Sequence, residues 1–214
     1  MQEPGSPREA HGGTGVIALV MAAGASRRFG DADKRIAALP DGRTLLASTV
    51  AGLCAAFSDV RVVIGSDDSP TALNLSGIIP IIRAPNAARG MGSSIADAAQ
   101  ALEGERAAAV AICLGDMPWI QAPTLALLAR QAAPDRILRP VYQGQPGHPV
   151  LFGRTFLPAL AGLSGDTGAR PVLQRYPDAL HRVSVDDPNT LADVDCPMSL
   201  NTQHPAPRGR HHGH

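Results

Sequence analysis

The sequence predicts a three-layer α/β/α domain built on a mostly parallel sheet. Two observations predict it. Short, near-continuous apolar runs recur along the chain, and between them lie stretches whose apolar residues fall at helical spacing. Strand, helix, strand in succession argues right-handed crossovers, with helices covering both faces of the sheet.

Each element follows from its own residues. Residues 16–21, 60–65, 78–83 and 108–114 are the apolar runs, as expected for parallel strands buried on both faces. Between the first two, residues 44–57 place Leu46, Val50, Leu53, Cys54 and Phe57 on one helical face. Residues 93–102 and 123–132 repeat the pattern, and Pro123 suits a helix's first turn. After residue 136 the rhythm changes. Residues 137–142 and 148–152 read as short strands around Gln143-Gly144-Gln145-Pro146-Gly147, a hairpin-like insertion. A helix is expected after Gly165-Asp166-Thr167-Gly168, and residues 183–185 and Val194 read as closing strands.

Length and composition narrow the function. The 214 residues suit one domain, with 1–14 and 201–214 expected as disordered arms of Gly, Pro and polar residues around a domain at 15–200. Histidines in the tail suit a solvated end or an expression remnant. Aromatics are only 3% of the chain, so the core must be aliphatic and base stacking has few rings to use. Nineteen basic residues balance nineteen acidic ones, which argues against nucleic acid as a partner and for a small molecule. Cys54, Cys113 and Cys196 form no CxxC pair and read as reduced thiols of a cytoplasmic protein. Residues 16–25 imitate a signal peptide but lack its basic flank. No apolar stretch is long enough for a membrane span.

Two segments carry chemistry. After the first strand come Ala22-Ala23-Gly24-Ala25-Ser26-Arg27-Arg28-Phe29-Gly30 and then Lys34. A small-residue loop there lets backbone N–H groups approach a phosphate, with Arg28 and Lys34 neutralising its charge. The same residues also suit a flexible turn with solvated cations. In Leu114-Gly115-Asp116-Met117-Pro118 a carboxylate ends an apolar strand, where magnesium–phosphate chemistry wants one and where a helix-capping turn Asp would also stand. Asp195, next to Val194, is a further acidic candidate or an exposed strand end. The loop Arg89-Gly90-Met91-Gly92-Ser93-Ser94 precedes a helix and offers Gly92 and Ser93 for backbone contacts to a base. His148 stands between Gly147 and Pro149, in a setting as compatible with structure as with catalysis. There is no triad spacing and no zinc-ligand cluster.

Together these motifs resemble the molybdenum cofactor cytidylyltransferases, within the nucleotidyltransferases that share a Rossmann-like domain. The resemblance runs from Val16 to Pro197. It is carried by the 22–30 loop with Lys34, by Gly90-Met91-Gly92-Ser93-Ser94-Ile95 and by Gly115-Asp116-Met117-Pro118. Further matches are Gly147-His148-Pro149-Val150-Leu151-Phe152, Gly165-Asp166-Thr167-Gly168-Ala169-Arg170 and Asp193-Val194-Asp195-Cys196-Pro197. Phe29 stands where that family has Met, and Gly92 replaces the first Ser of its base-side loop.

The resemblance implies transfer of CMP from CTP to the phosphate of molybdopterin, with release of pyrophosphate and a requirement for Mg2+. Ala22, Ala23, Gly24, Ala25 and Ser26 would wrap the nucleotide with Gly92 and Ser93. Arg28, Lys34 and Asp116 would be catalytic, Asp116 and Asp195 would hold the metal, and His148, Asp166 and Arg170 would face the acceptor. Ala23, where a guanylyl branch has Gly, favours CTP over GTP, and a recipient molybdoenzyme is an implied partner. The competing expectations are a GTP- or sugar-phosphate-using nucleotidyltransferase and a non-catalytic module that carries cofactor to a molybdoenzyme.

Overall fold

The computed structural model describes residues 15–24, 33–75 and 77–194. The arms at 1–14 and 201–214 lie outside the described residues, as do Ala25, Ser26, Arg28 and Asp195.

The first strand sets the architecture. In β1 (Val16–Met21) all six residues are buried, because alternate side chains enter opposite layers. Val16, Ala18 and Val20 pack with Leu46, Val50 and Leu53 of α1 (Leu45–Cys54) and with Leu125 and Leu128 of α3 (Ala122–Gln131). Ile17, Leu19 and Met21 pack instead with Ile95, Ala98 and Ala99 of α2 (Met91–Ala101). The latter layer also takes Leu160 of α4 (Leu157–Ala161) and Val172 of α5 (Arg170–Arg175). Three layers result, as the apolar runs predicted.

Among the described residues the sheet has eight strands. β3 (Ile81–Ala84), β2 (Asp59–Gly65), β1 and β4 (Ala109–Leu114) lie side by side and parallel. Beyond β4 the pattern turns mixed. β7 (Val150–Gly153) runs antiparallel to both β4 and β5 (Ile137–Tyr142). β5 turns back through β6 (Gln145–Pro146), with Gln143 and Gly144 both at positive φ, the geometry of a tight hairpin turn. β8 (Leu180–Ser184) adds parallel to β5. No helix among the described residues is long and apolar enough to cross a membrane.

Three expectations need correction. The strand expected at 78–83 begins only at Ile81, and Ile78 is 89% exposed. Pro80 has no N–H to give the ladder, though its carbonyl accepts from the Val62 N–H at 2.9 Å. The strand expected at 148–152 begins at Val150, after Pro149, which also lacks an N–H. Val194 joins no strand. Its N–H bonds the carbonyl of Asp116 at 3.1 Å, so the segment docks on a turn rather than a ladder.

Gly115 shows how closely the edge of the sheet is packed. Its N–H reaches the Met21 carbonyl at 3.2 Å, and a Cβ there would sit 2.9 Å from that oxygen and 3.3 Å from Leu46. Gly115→Ala is therefore expected to cost about 1–3 kcal/mol through overpacking. Urea unfolding checks this, and an unchanged midpoint would contradict it.

Candidate active site

Because β3, β2, β1 and β4 are parallel, the turns after them leave from one edge of the sheet. Met21 and Leu114 are register partners, so residues 22–24 and the Gly115-Asp116 turn emerge side by side. With residues 65–68 at the end of β2 and residues 84, 85 and 87–91 at the end of β3, they line a cleft of about 890 Å3. That is the size of a site for a nucleotide-sized ligand, at the carboxyl edge where open α/β sheets bind ligands.

Of the sequence candidates, Ala22, Ala23, Gly24, Lys34, Asp116 and Asp166 line this cleft. Lys34 opens a single helical turn, Lys34–Ile36, capped by the Asp33 carboxylate on the Arg35 N–H. From there its Nζ donates to Asp116 Oδ2 at 2.8 Å, across 82 positions of sequence. The other oxygen, Asp116 Oδ1, is buried and has no hydrogen-bond partner among the described residues. A buried carboxylate oxygen without a donor costs free energy unless a cation or donor meets it.

The donor set fits magnesium. No group of three or more His, Cys, Asp or Glu side chains capable of holding a metal occurs among the described residues. Magnesium needs none, since one or two carboxylates plus substrate oxygens commonly hold it. Asp195, expected as the second ligand, lies outside the described residues. The Val194–Asp116 backbone bond brings the chain beside Asp116 one position earlier.

Arg35 was missed by the sequence reading. Its guanidinium bonds Asp33 and Asp68 on two edges and also donates to the Ala22 carbonyl at 2.8 Å. Asp68 in turn accepts from the Gly65 N–H at 2.8 Å. One side chain thus ties the turn carrying Lys34 to the loops after β1 and β2. The Arg35 hydrogen bonds hold the Asp33 carboxyl below its usual range. For Asp68, burial works against ionisation, but the bonds from Arg35 and Gly65 outweigh it and lower its pKa too. The only signal in the sequence was an Asp-Lys-Arg run, and the partner Asp68 is 33 positions away.

The base-side loop is fastened from outside. Gly90 has φ +116, and a Cβ on it would meet the backbone of Gly165 and Asp166 at 2.7 Å. The N–H groups of Gly92 and Ser93 point to the Gly165 carbonyl at 2.8 and 3.3 Å, and Asp166 accepts from the Met91 N–H at 3.4 Å. Gly92 and Ser93 are buried, and the cleft wall here is Gly90, Met91 and Ser94. The three acceptor-side candidates part company. Asp166 lies in the cleft wall, Arg170 is exposed at the start of α5, and His148 stands off the cleft with its N–H on the Thr190 carbonyl at 2.8 Å.

The sequence matches the MobA-like NTP transferase domain over residues 18–182. The chain belongs to that family. Among curated proteins no match was found. Solved structures agree. Rv0371c of Mycobacterium tuberculosis H37Rv is 26% identical, with a TM-score of 0.75 over 87% of this chain and 95% of that one. The same mycobacterial protein in a complex with manganese aligns at 22% identity and TM-score 0.67, over 89% of this chain and 94% of that one. Mth528, a nucleotidyl transferase from Methanothermobacter thermautotroptrophicus, shares the fold at 21% identity and TM-score 0.72, over 87% of this chain and 94% of that one. This MobA-like transferase is accordingly a nucleotidyltransferase with a Rossmann-like α/β core.

His148 gives the family member a pH signature. Burial, then the Arg139 charge, pushes its pKa from 6.5 down to about 4, while the Asp116 charge pulls the other way. Below pH 6.5 the unfolded chain therefore binds a proton that the folded one refuses, so stability falls as pH drops from 6.5 towards 4. An NMR titration should place His148 near 4, and His148→Gln should flatten that part of the stability curve. A midpoint at or above 6.5 would contradict the environment described.

Proposed function

We propose that this MobA-like transferase moves CMP from CTP to the terminal phosphate of a molybdopterin-type acceptor, releasing pyrophosphate with Mg2+ as cofactor. The observation that carries the reading is the Lys34–Asp116 pair in the cleft, with Asp116 Oδ1 buried and without a donor among the described residues. A recipient molybdoenzyme would take the product.

In this reading the backbone at Ala22, Ala23 and Gly24 lies along the triphosphate, and Ala25, Ser26 and Arg28, which follow in sequence, are further nucleotide candidates. Lys34 brings a positive charge to the phosphates while its bond to Asp116 holds both groups in position. Asp116 and Asp195 would hold the metal, which supplies positive charge to the phosphate oxygens as a Lewis acid. An acceptor phosphate oxygen attacks the α-phosphorus, the α–β bridging bond breaks, and pyrophosphate leaves with that electron pair. The acceptor brings its own nucleophile, so the protein's part is alignment and charge stabilisation. Ala23 and the 90–94 loop support CTP over GTP through the motif resemblance, and His148, Asp166 and Arg170 are the candidates for contact with the acceptor. A manganese complex of the mycobacterial neighbour supports a divalent ion.

Asp116→Asn keeps size and removes charge. It is expected to lower pyrophosphate release by about 10²–10³, the usual loss of a charge-stabilising group. Lys34→Ala should lower it comparably with folding retained. Turnover of Asp116→Asn within about threefold of the parent, inside ordinary scatter, would reduce Asp116 to a turn residue and defeat the mechanism.

A further inference from the structure

Away from the cleft, β5 and β8 carry arginines at matched positions. Arg139 and Arg182 are register partners in a parallel pair, so their side chains leave the same face of the sheet from strands about 4.8 Å apart. Ile137 and Leu180, two positions earlier on each strand, pack in the layer of α2, α4 and α5, so the arginines rise on that face. Like charges so placed repel. Burial, then the charge of Arg182, lowers the pKa of Arg139.

Neither arginine has an ion pair with a described residue. Arg139 is half-buried and held in place by the hairpin. Its Nε donates to the Gly147 carbonyl at 3.2 Å and its Nη2 to the Pro146 carbonyl at 3.4 Å. Its Nη1 bonds no described residue, and Arg182 is exposed. The neighbourhood adjoins the proposed reaction centre. His148 feels the charge of Arg139 on one side and that of Asp116 on the other.

We propose that Arg139 and Arg182 form an oxyanion site, separate from the triphosphate cleft, that docks an anionic group of the acceptor substrate other than the phosphate that attacks, with inorganic phosphate as its probe. The inference rests on the nucleotidyl-transfer reading above. Two adjacent guanidinium charges match a dianion, and an oxyanion bridging both forks would offset the repulsion between them. Neither residue belongs to the motifs that mark the nucleotide site, so the pair would contribute to the choice of acceptor rather than of nucleotide.

The test is a titration of inorganic phosphate into the full chain saturated with Mg2+ and nucleotide, followed through the Nε–Hε NMR signals of 15N-arginine. A saturable shift at Arg139 is expected, with acetate binding more weakly. Arg139→Gln and Arg182→Gln should each weaken phosphate by about tenfold or more while nucleotide affinity stays within about threefold, as expected for losing charged hydrogen bonds outside the nucleotide site. Arg182→Gln changes an exposed residue and carries the test if Arg139→Gln loosens the hairpin. Unchanged phosphate affinity in Arg182→Gln would overturn the proposal, as would phosphate binding lost only in Lys34→Ala. A parent that binds nucleotide but shows no phosphate shift overturns the arginine site alone. A parent that binds no nucleotide defeats the nucleotidyl-transfer reading, while a phosphate shift at Arg139 would still support the anion site.

Discussion

The parallel register that makes Met21 and Leu114 neighbours is the constraint from which the site follows. Two strands nearly a hundred residues apart in sequence end together, and each hands its following turn to the same edge. The first turn brings small residues, 22–24, and the second brings Asp116. Gly115 lets the two approach within hydrogen-bonding distance, because a side chain there would strike the Met21 carbonyl. The geometry is held by a ladder buried on both faces, so it is as rigid as the core itself.

Electrostatics then refine what the ladder positions. Charges half-removed from water are costly unless paired, and the half-buried charges of the cleft are paired, Lys34 with Asp116 and Arg35 with Asp68. Arg35 satisfies Asp33 and Asp68 and draws the Lys34 turn against the loops after β1 and β2. Lys34 takes one oxygen of Asp116, and the other oxygen is buried without a donor among the described residues. That exception gives the site its chemical direction: an acceptor for positive charge stands in the cleft at the carboxyl edge of the sheet. The same principle, with sign reversed, makes Arg139 and Arg182 conspicuous, since neither forms an ion pair with a described residue.

Much of this was legible beforehand, for identifiable reasons. Strands buried on both faces are unbroken apolar runs, so β1 and β4 stand out from their neighbours. The turns that follow them carry residue types whose chemistry is explicit. What could not be read depends on distant partners or on missing donors. Arg35 belongs to no motif, and nothing local announces Asp68 as its partner. Ile78 and Ile79 matched a strand by composition, yet the strand begins only after Pro80. Gly92 and Ser93 suggested base contacts, whereas their N–H groups meet the Gly165 carbonyl, which only the folded chain brings near. His148, Asp166 and Arg170 looked like one acceptor-side group, but of the three only Asp166 lines the cleft, which the sequence alone does not announce.

Transfer, rather than binding or hydrolysis, is the central claim, and following the α-phosphate tests it most directly. The parent protein would be incubated with α-32P-labelled CTP, Mg2+ and a molybdopterin-type phosphate acceptor, and the label traced by chromatography. The account predicts label joined to the acceptor through a new phosphoanhydride, with one pyrophosphate released for each label transferred. Label that stays in bound CTP, or that appears only as free CMP whatever the acceptor, would contradict it.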